Sequence, residues 1–171
     1  MATNTALEET RPEAAAAGKA LTFRLGAEEY GIAILRVREI IGLMEITRVP
    51  RTPALVRGVI NLRGKVIAVV DLRTRFGLPA TEDTRQTCII VVEVGSGGHS
   101  VPVGVIVDEV CEVRDVDPAQ VEQPPEFGAA VDTSFLVGMA KFGSKVVMLL
   151  NVDAVFAPDE IGAIEDAARD N

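Results

Sequence analysis

The sequence predicts a mainly β protein made of two five-stranded β-barrels packed together, with short helical turns. Three observations carry that expectation. The chain has 171 residues, 48% apolar but only 4% aromatic and without Trp, so Val, Ile and Leu must fill its core. Its apolar residues alternate in short runs broken by Gly, Pro and polar turns, with few helical periods. Finally, a nineteen-residue pattern recurs: Gly58 to Phe76 lies without a gap on Gly138 to Phe156, eighty residues later.

Within that repeat Gly58 meets Gly138, Lys65 meets Lys145, Asp71 meets Asn151 and Phe76 meets Phe156. A fainter echo sets Gly31 to Ile40 on Gly104 to Val113, seventy-three residues on, so the later copy holds seven extra residues between its halves. A two-unit duplication implies two similar modules rather than one enzyme-sized core, and too few units for a solenoid.

Taken in order, residues 1–19 are polar and alanine-rich, and read as a disordered tail. Leu21, Phe23 and Leu25 alternate with Thr22 and Arg24, the pattern of a half-buried strand, and Tyr30, Ile32 and Ile34 repeat it after Gly26. Thr52 to Gly58 reads as a short helix with Thr as N-cap, Pro in the first turn and Gly past the end. Val59–Leu62 and Lys65–Val70 are strands joined tightly at Arg63-Gly64, a hairpin signature. Asp71 then caps a helical turn over Leu72 to Phe76. Residues 20–86 form the first unit, ending in a polar linker from residue 79.

The second unit, 87–157, opens with the apolar run Cys88 to Val92, a strand covered on both faces. Gly95 to Gly98 makes a flexible turn before strands at Val101–Val107 and Val110–Val116. Pro124-Pro125-Glu126-Phe127-Gly128 marks a long loop, and the repeated strand pair and capped turn close the unit. The terminal strands of each unit are free to cross between barrels. Residues 158–171 form an acidic tail, at most a short helix through Ile161 and Ile164.

Composition also excludes function classes. A net charge of −8 argues against nucleic acid as partner. No apolar run approaches the roughly 18 residues of a membrane span, so no direct membrane insertion is expected, and the N-terminal residues carry no secretory signal. Cys88 and Cys111 lie in strand-like runs without metal spacing and read as buried, reduced thiols of a cytoplasmic protein. The charge is unevenly spread. Residues 36–75 hold nine Arg or Lys against three acids, and residues 82–132 hold two Arg against eleven acids. Opposite blocks of this kind suit complementary docking between partners.

Catalytic candidates are few. Asp71 and Asp108 each follow an apolar run, where carboxylates can bind metal or move protons. Yet Asp71 is replaced by Asn151 in the repeat, and Asp and Asn share N-capping, not acid–base chemistry. His99 stands in a Gly-rich turn without companion ligands, and no phosphate-cradling loop is present. No cofactor, metal site or enzymatic activity is expected. Arg63 is the better candidate, for binding: it sits at a hairpin tip where its repeat partner is Gly143, and Arg is a favoured interface anchor. Val37, Val110 and Val113 follow the Gly-containing strands of both copies, with Glu39, Asp108, Glu109 and Glu112 beside them. An apolar and charged strip between two barrels would form a groove suited to an amphipathic helix.

Several ordered motifs support a family resemblance. Glu28-Glu29-Tyr30-Gly31-Ile32, Val37-Arg38-Glu39-Ile40-Ile41, Ile46-Thr47-Arg48-Val49-Pro50, Val56 to Gly64, Val69 to Arg73 and Gly104 to Asp108 closely resemble the CheW family of bacterial chemotaxis coupling proteins. The match runs from about residue 20 to 157. It implies a cytoplasmic, non-enzymatic adaptor of two SH3-like barrels, associated with membrane-bound chemoreceptor arrays. Its implied partners are the receptors' cytoplasmic tip helices, the regulatory domain of the histidine kinase CheA, and other adaptor copies in rings. Carried over residue by residue, Val37, Glu39, Arg63, Val110 and Val113 resemble receptor-groove residues, and Phe127 a barrel contact to kinase or adaptor. Ala68 stands where the family often has Pro, and Gly95 to Gly98 lengthens a turn. Two alternatives remain open at the level of sequence: an adaptor module of a non-motility chemosensory pathway, and a two-carboxylate metal-dependent hydrolase.

Overall fold

A computed structural model describes residues 18–79, 82–95, 100–123 and 134–156, together with Glu160, Gly162 and Ile164. Most of the expected tail over 1–19, most of the Gly-rich turn, His99, Phe127 and most of the acidic tail lie outside the described residues. The strands are β1 (Gly18–Leu25), β2 (Glu28–Ala33), β3 (Val37–Gly42), β4 (Val56–Leu62), β5 (Lys65–Asp71), β6 (Cys88–Val94), β7 (Val101–Val107), β8 (Glu109–Val116), β9 (Val121–Glu122), β10 (Leu136–Phe142) and β11 (Lys145–Leu150). A single turn of helix, α1 (Leu72–Arg75), follows β5, and 3-10 turns cover 34–36 and 118–120.

The strands form two sheets, ordered β8-β1-β2-β11-β10-β9 and β3-β6-β7-β5-β4. Apart from β9 the orders correspond element by element, so the duplication in sequence is a duplication in structure. Each sheet contains one parallel pair at the same repeat positions, Leu149 beside Gly31 and Val69 beside Gly104. The sheets do not follow chain order. Residues 20–86 give β1 and β2 to the six-stranded sheet and β3, β4 and β5 to the other.

Short connections force each sheet to curl. β8 and β9 lie at opposite edges of the six-stranded sheet, yet only residues 117–120 separate them. Laid flat, six strands would hold those edges about 24 Å apart. The connecting chain from Val116 to Val121 reaches about 17 Å. In the other sheet the chain leaving β3 does the same, and Thr47 bridges to Val59 of β4 on the far edge. The edges are thus tied by one crossing segment, giving curled barrels without a continuous ring of ladder hydrogen bonds. Gly58 and Gly138 permit these approaches: a Cβ on Gly58 would sit 2.3 Å from the Thr47 carbonyl oxygen, and one on Gly138 2.6 Å from Val121 Cγ1.

Strand alternation divides the apolar residues among three clusters. Ile67 and Val69 of β5, with Ile60, Ile89, Val91 and Ile106, fill the five-stranded barrel. Ala20, Val116, Ala140, Val147 and Leu149 fill the other. The remaining faces of the same strands, including Ala68, Val70, Ile90, Val92, Phe23 and Ile32, meet between the sheets in the largest cluster. A stack of Phe23, Tyr30, Phe76 and Phe135 runs through it, with ring centroids 6.1, 5.3 and 4.8 Å apart. Much of the apolar burial is therefore shared by the barrels, which makes them one cooperative body. Ile164, in the expected acidic tail, is also buried there.

Two expectations need correction. Thr52 to Gly58 is not a helix. It makes one turn, closed by the Val56 amide donating to Pro53 O at 2.9 Å, and β4 begins at Val56. Leu55 and Val56 are buried in the shared core, and Gly58 has a φ of 152° at a bulge where helical backbone cannot continue. Nor are both thiols buried. Cys88 is half-buried, while Cys111 is exposed on the edge strand β8. Burial nevertheless pushes both thiols above their ordinary pKa, which disfavours the thiolate.

Candidate docking site

Arg63 and Gly64 form the two-residue turn between β4 and β5, with φ values of 52° and 88°. Positive φ at both positions is the type I′ pattern that matches the twist of paired strands. The Asn61 side chain steadies the turn, its Oδ1 accepting from the Gly64 amide at 2.8 Å. Arg63 thereby projects toward β3, where its guanidinium donates to Glu39 Oε2 at 2.5 Å. Both side chains border a cavity of about 220 Å³ with Arg38 and Lys65 at its rim and Leu62, Ile67 and Val91 as apolar lining. An apolar floor with a mostly cationic rim can receive a non-polar side chain flanked by carboxylates.

Of the other candidates, Val37 begins β3 and is half-buried against the shared core, one bulge away from Glu39. Val110 packs on the same core from β8. Val113, further along β8, is 48% exposed, and its repeat partner Ile40 on β3 is 46% exposed. The structure therefore brings Glu39 and Arg63 into contact, places Val37 on the same strand as Glu39 but against the shared core, and places Val110 and Val113 on the matching strand of the other sheet. Both strands are sheet edges. Phe127 lies outside the described residues.

The repeat of this site in the six-stranded barrel is filled by its own side chains. Phe142 replaces Leu62 and carries Arg114 4.8 Å above its ring, a cation–π contact. Arg114 also pairs with Glu112, the partner of Glu39, at 3.2 Å. Buried Glu29 takes Lys145 at 3.1 Å. At the tip Gly143 has a φ of 64° and no side chain to offer.

Asp71 and Asp108 do come together, but through a cation. Arg73, 2% exposed, donates to both Asp71 oxygens at 3.0 Å and to Asp108 Oδ1 at 3.1 Å. Asp71 also caps α1, accepting from the Arg73 amide at 2.9 Å, and Asn151 repeats the cap with the Asp153 amide at 3.1 Å. A guanidinium already occupies the position between these carboxylates that a hydrolytic metal would need. Among the described residues no group of three or more His, Cys, Asp or Glu has metal-site geometry.

Sequence reasoning missed the pairing of the two charge blocks with each other. Arg38 meets Glu93 at 2.9 Å, Arg57 meets Asp83 at 3.1 Å and Arg73 meets Asp108 at 3.1 Å. Arg36, Arg63 and Arg75 pair with Asp153, Glu39 and Glu160. Among the described residues Arg48, Arg51 and Lys65 are left as the unpaired cations of the basic block. The compositional signal was present; which acid each base would reach depends on the interleaving of the sheets.

Comparison with known proteins gives a consistent result. The CheW-like domain family matches residues 19–160. The chain is 34% identical over 149 residues to the chemotaxis protein CheW of Klebsiella aerogenes, covering 87% of each protein. It is 36% identical over 140 residues to the CheW of Rhizobium meliloti, covering 82% of this chain and 88% of that protein. The crystal structure of the scaffolding protein TtCheW from Thermoanaerobacter tengcongensis superposes with a TM-score of 0.74 at 35% identity, covering 84% of this chain and 95% of that one. Among the described residues no helix is long and apolar enough to cross a membrane.

Proposed function

The chain belongs to the CheW-like family, whose relatives are non-enzymatic chemotaxis scaffolds, and we propose that it couples chemoreceptors to the histidine kinase CheA in cytoplasmic signalling arrays. A helix of the receptor tip lies along the edge strands β3 and β8. Val37, Val110 and Val113 supply its apolar contacts, and Glu39 and Arg63 set its register by charge. The kinase's regulatory domain, and other adaptor copies in rings, engage the barrel ends, Phe127 among the contacts. Coupling then acts by biasing assembly geometry, without bond chemistry.

The observation that carries this reading is Arg63 itself. A side chain-bearing residue is held in left-handed backbone at an exposed tip, aimed over an apolar cavity, where the duplicated tip uses Gly. Arg63→Glu places two carboxylates together and reverses the rim charge. Receptor-tip capture by this variant is expected to fall by an order of magnitude while its melting remains cooperative. Capture equal to the parent at matched concentration would refute the site.

A further inference from the structure

Two ion-paired latches tie the sheets together at corresponding crossings with opposite polarity, though Arg36 stands one residue past Leu35, the repeat partner of Asp108. In the first, Asp108 lies where the chain crosses from β7 to β8, accepts the Gly26 amide at 2.7 Å, and pairs with Arg73 from the turn after β5. In the second, Arg36 lies where the chain crosses from β2 to β3 and pairs with Asp153, in the turn after β11, at 2.5 and 3.1 Å. Asp153 accepts the Gly95 amide at 2.8 Å, and Arg36 Nε donates to Glu93 O at 3.1 Å. Gly95 follows β6 as Gly26 follows β1, and Asp153 is the repeat partner of Arg73. The crossing thus supplies the acid in one latch and the base in the other. Each latch joins a crossing, a strand-end amide and a capped turn drawn from both sheets.

We propose that these latches fix the two docking edges relative to each other, making Arg36 and Arg73 positioning residues for the groove. Val37 follows Arg36 directly and Val110 stands two residues after Asp108, so a latch that slackens lets its edge strand slide on the shared core. Two bases facing two acids across separate crossings hold geometry more sharply than apolar packing, which is non-directional. The reversal of charge between Arg73 and its repeat partner Asp153, each paired with an opposite charge at the neighbouring crossing, points to the ion pair and not its polarity as the shared feature.

The proposal rests on the docking reading for its functional half, and the test separates the two. The variants, in the full chain, are Arg36→Glu alone and Leu35→Asp/Arg36→Glu/Asp153→Arg, which copies the first latch onto the second; Leu35 is 93% exposed and can be replaced without emptying the core. Methyl NMR of the free protein reads Val37 and Val110, and fluorescence anisotropy reads binding of a soluble receptor-tip helical fragment. Arg36→Glu is expected to displace the Val37 methyl signals and weaken binding roughly three- to tenfold. The triple variant is expected to restore both. Should Arg36→Glu fail to fold, Asp153→Asn, which keeps an acceptor for Gly95, is expected to give the same displacement in smaller measure. Unmoved Val37 signals in a folded single variant, or a triple variant that restores nothing, would overturn the latch. Signals that move and return while binding stays constant would keep the latch and overturn the docking reading.

Discussion

Arg63 adopts a φ of 52°, close to the 64° of Gly143, its partner in the second copy of the hairpin. The two tips part at their second turn residue, where Gly64 has a φ of 88° and Ser144 has no positive φ. They share a positive φ at the first, carried in one of them by a residue with a Cβ. Left-handed conformations disfavour such residues because Cβ crowds the carbonyl oxygen. The first tip therefore accepts local strain that its duplicate avoids, and the ion pair of the exposed Arg63 guanidinium with half-buried Glu39 offsets little of it.

Arg63→Gly follows from that relationship. Removing the Cβ relieves the backbone, so the variant is expected to melt at or slightly above the parent temperature. Receptor-tip binding should nonetheless weaken, because the register-setting guanidinium is gone. Calorimetry and a pull-down on the same preparation check this. A variant that both melts lower and binds normally would reverse the assignment of Arg63 from binding to stability.

Glycine at the barrel edges provides a second test. A Cβ on Gly58 would meet the Thr47 carbonyl oxygen at 2.3 Å and its carbon at 2.9 Å, where only backbone movement relieves the clash. Gly58→Ala is expected to cost about 2–3 kcal/mol and to open the bridge between Thr47 and Val59. Gly42, at the end of β3, faces open space: a Cβ there would find nothing within 4 Å, and Ala should be accepted with little change. Chemical denaturation and amide exchange at Thr47 and Val59 distinguish the two.

Acid stability should expose the second latch. Burial works to raise the Asp153 pKa, but hydrogen bonds from Arg36 and the Gly95 amide outweigh it and hold the carboxyl below its ordinary value. A depressed folded pKa contributes stability fully present above the unfolded value, about 3.9. That contribution is lost as pH falls through the lower folded value. Melting temperature followed from pH 6 to pH 2 should therefore fall less steeply for Asp153→Asn than for the parent. Parallel curves would mean that Asp153 carries no linkage.

Much of this was legible in the chain. Strand alternation and the repeat located most of the strands, though not β3 or β9, and the exchange of Asp71 for Asn151 exposed a cap in place of an active site. The mismatch of Arg63 with Gly143 picked out the tip. Pairings distant in sequence were not legible. Arg36 with Asp153 and Arg73 with Asp108 depend on sheets that draw strands from both units, and no local pattern records that interleaving. The false helix at Thr52 to Gly58 has the same origin. Its caps were locally sound, but Leu55 and Val56 gain more from the shared core than a single helical turn returns.

The charge asymmetry meets a sharper test in the structure than in the sequence. Six cations of the basic block (Arg36, Arg38, Arg57, Arg63, Arg73 and Arg75) are paired inside the chain, so the block is a weaker external field than its composition implies. Arg48, Arg51 and Lys65 are the ones left for a partner, and exposed charges of this kind steer association within about one Debye length, roughly 8–10 Å at ordinary salt. Replacing all three with Glu is expected to leave the melting temperature within about 2 °C of the parent, since surface changes away from packed features cost little. Association with the kinase's regulatory domain should slow several-fold at 20 mM salt and converge on the parent rate by 500 mM, as screening removes steering (about 10–1,000-fold at most). Stopped-flow measurements over that range decide the matter: a parent rate that does not depend on salt would assign the asymmetry entirely to stitching within the fold.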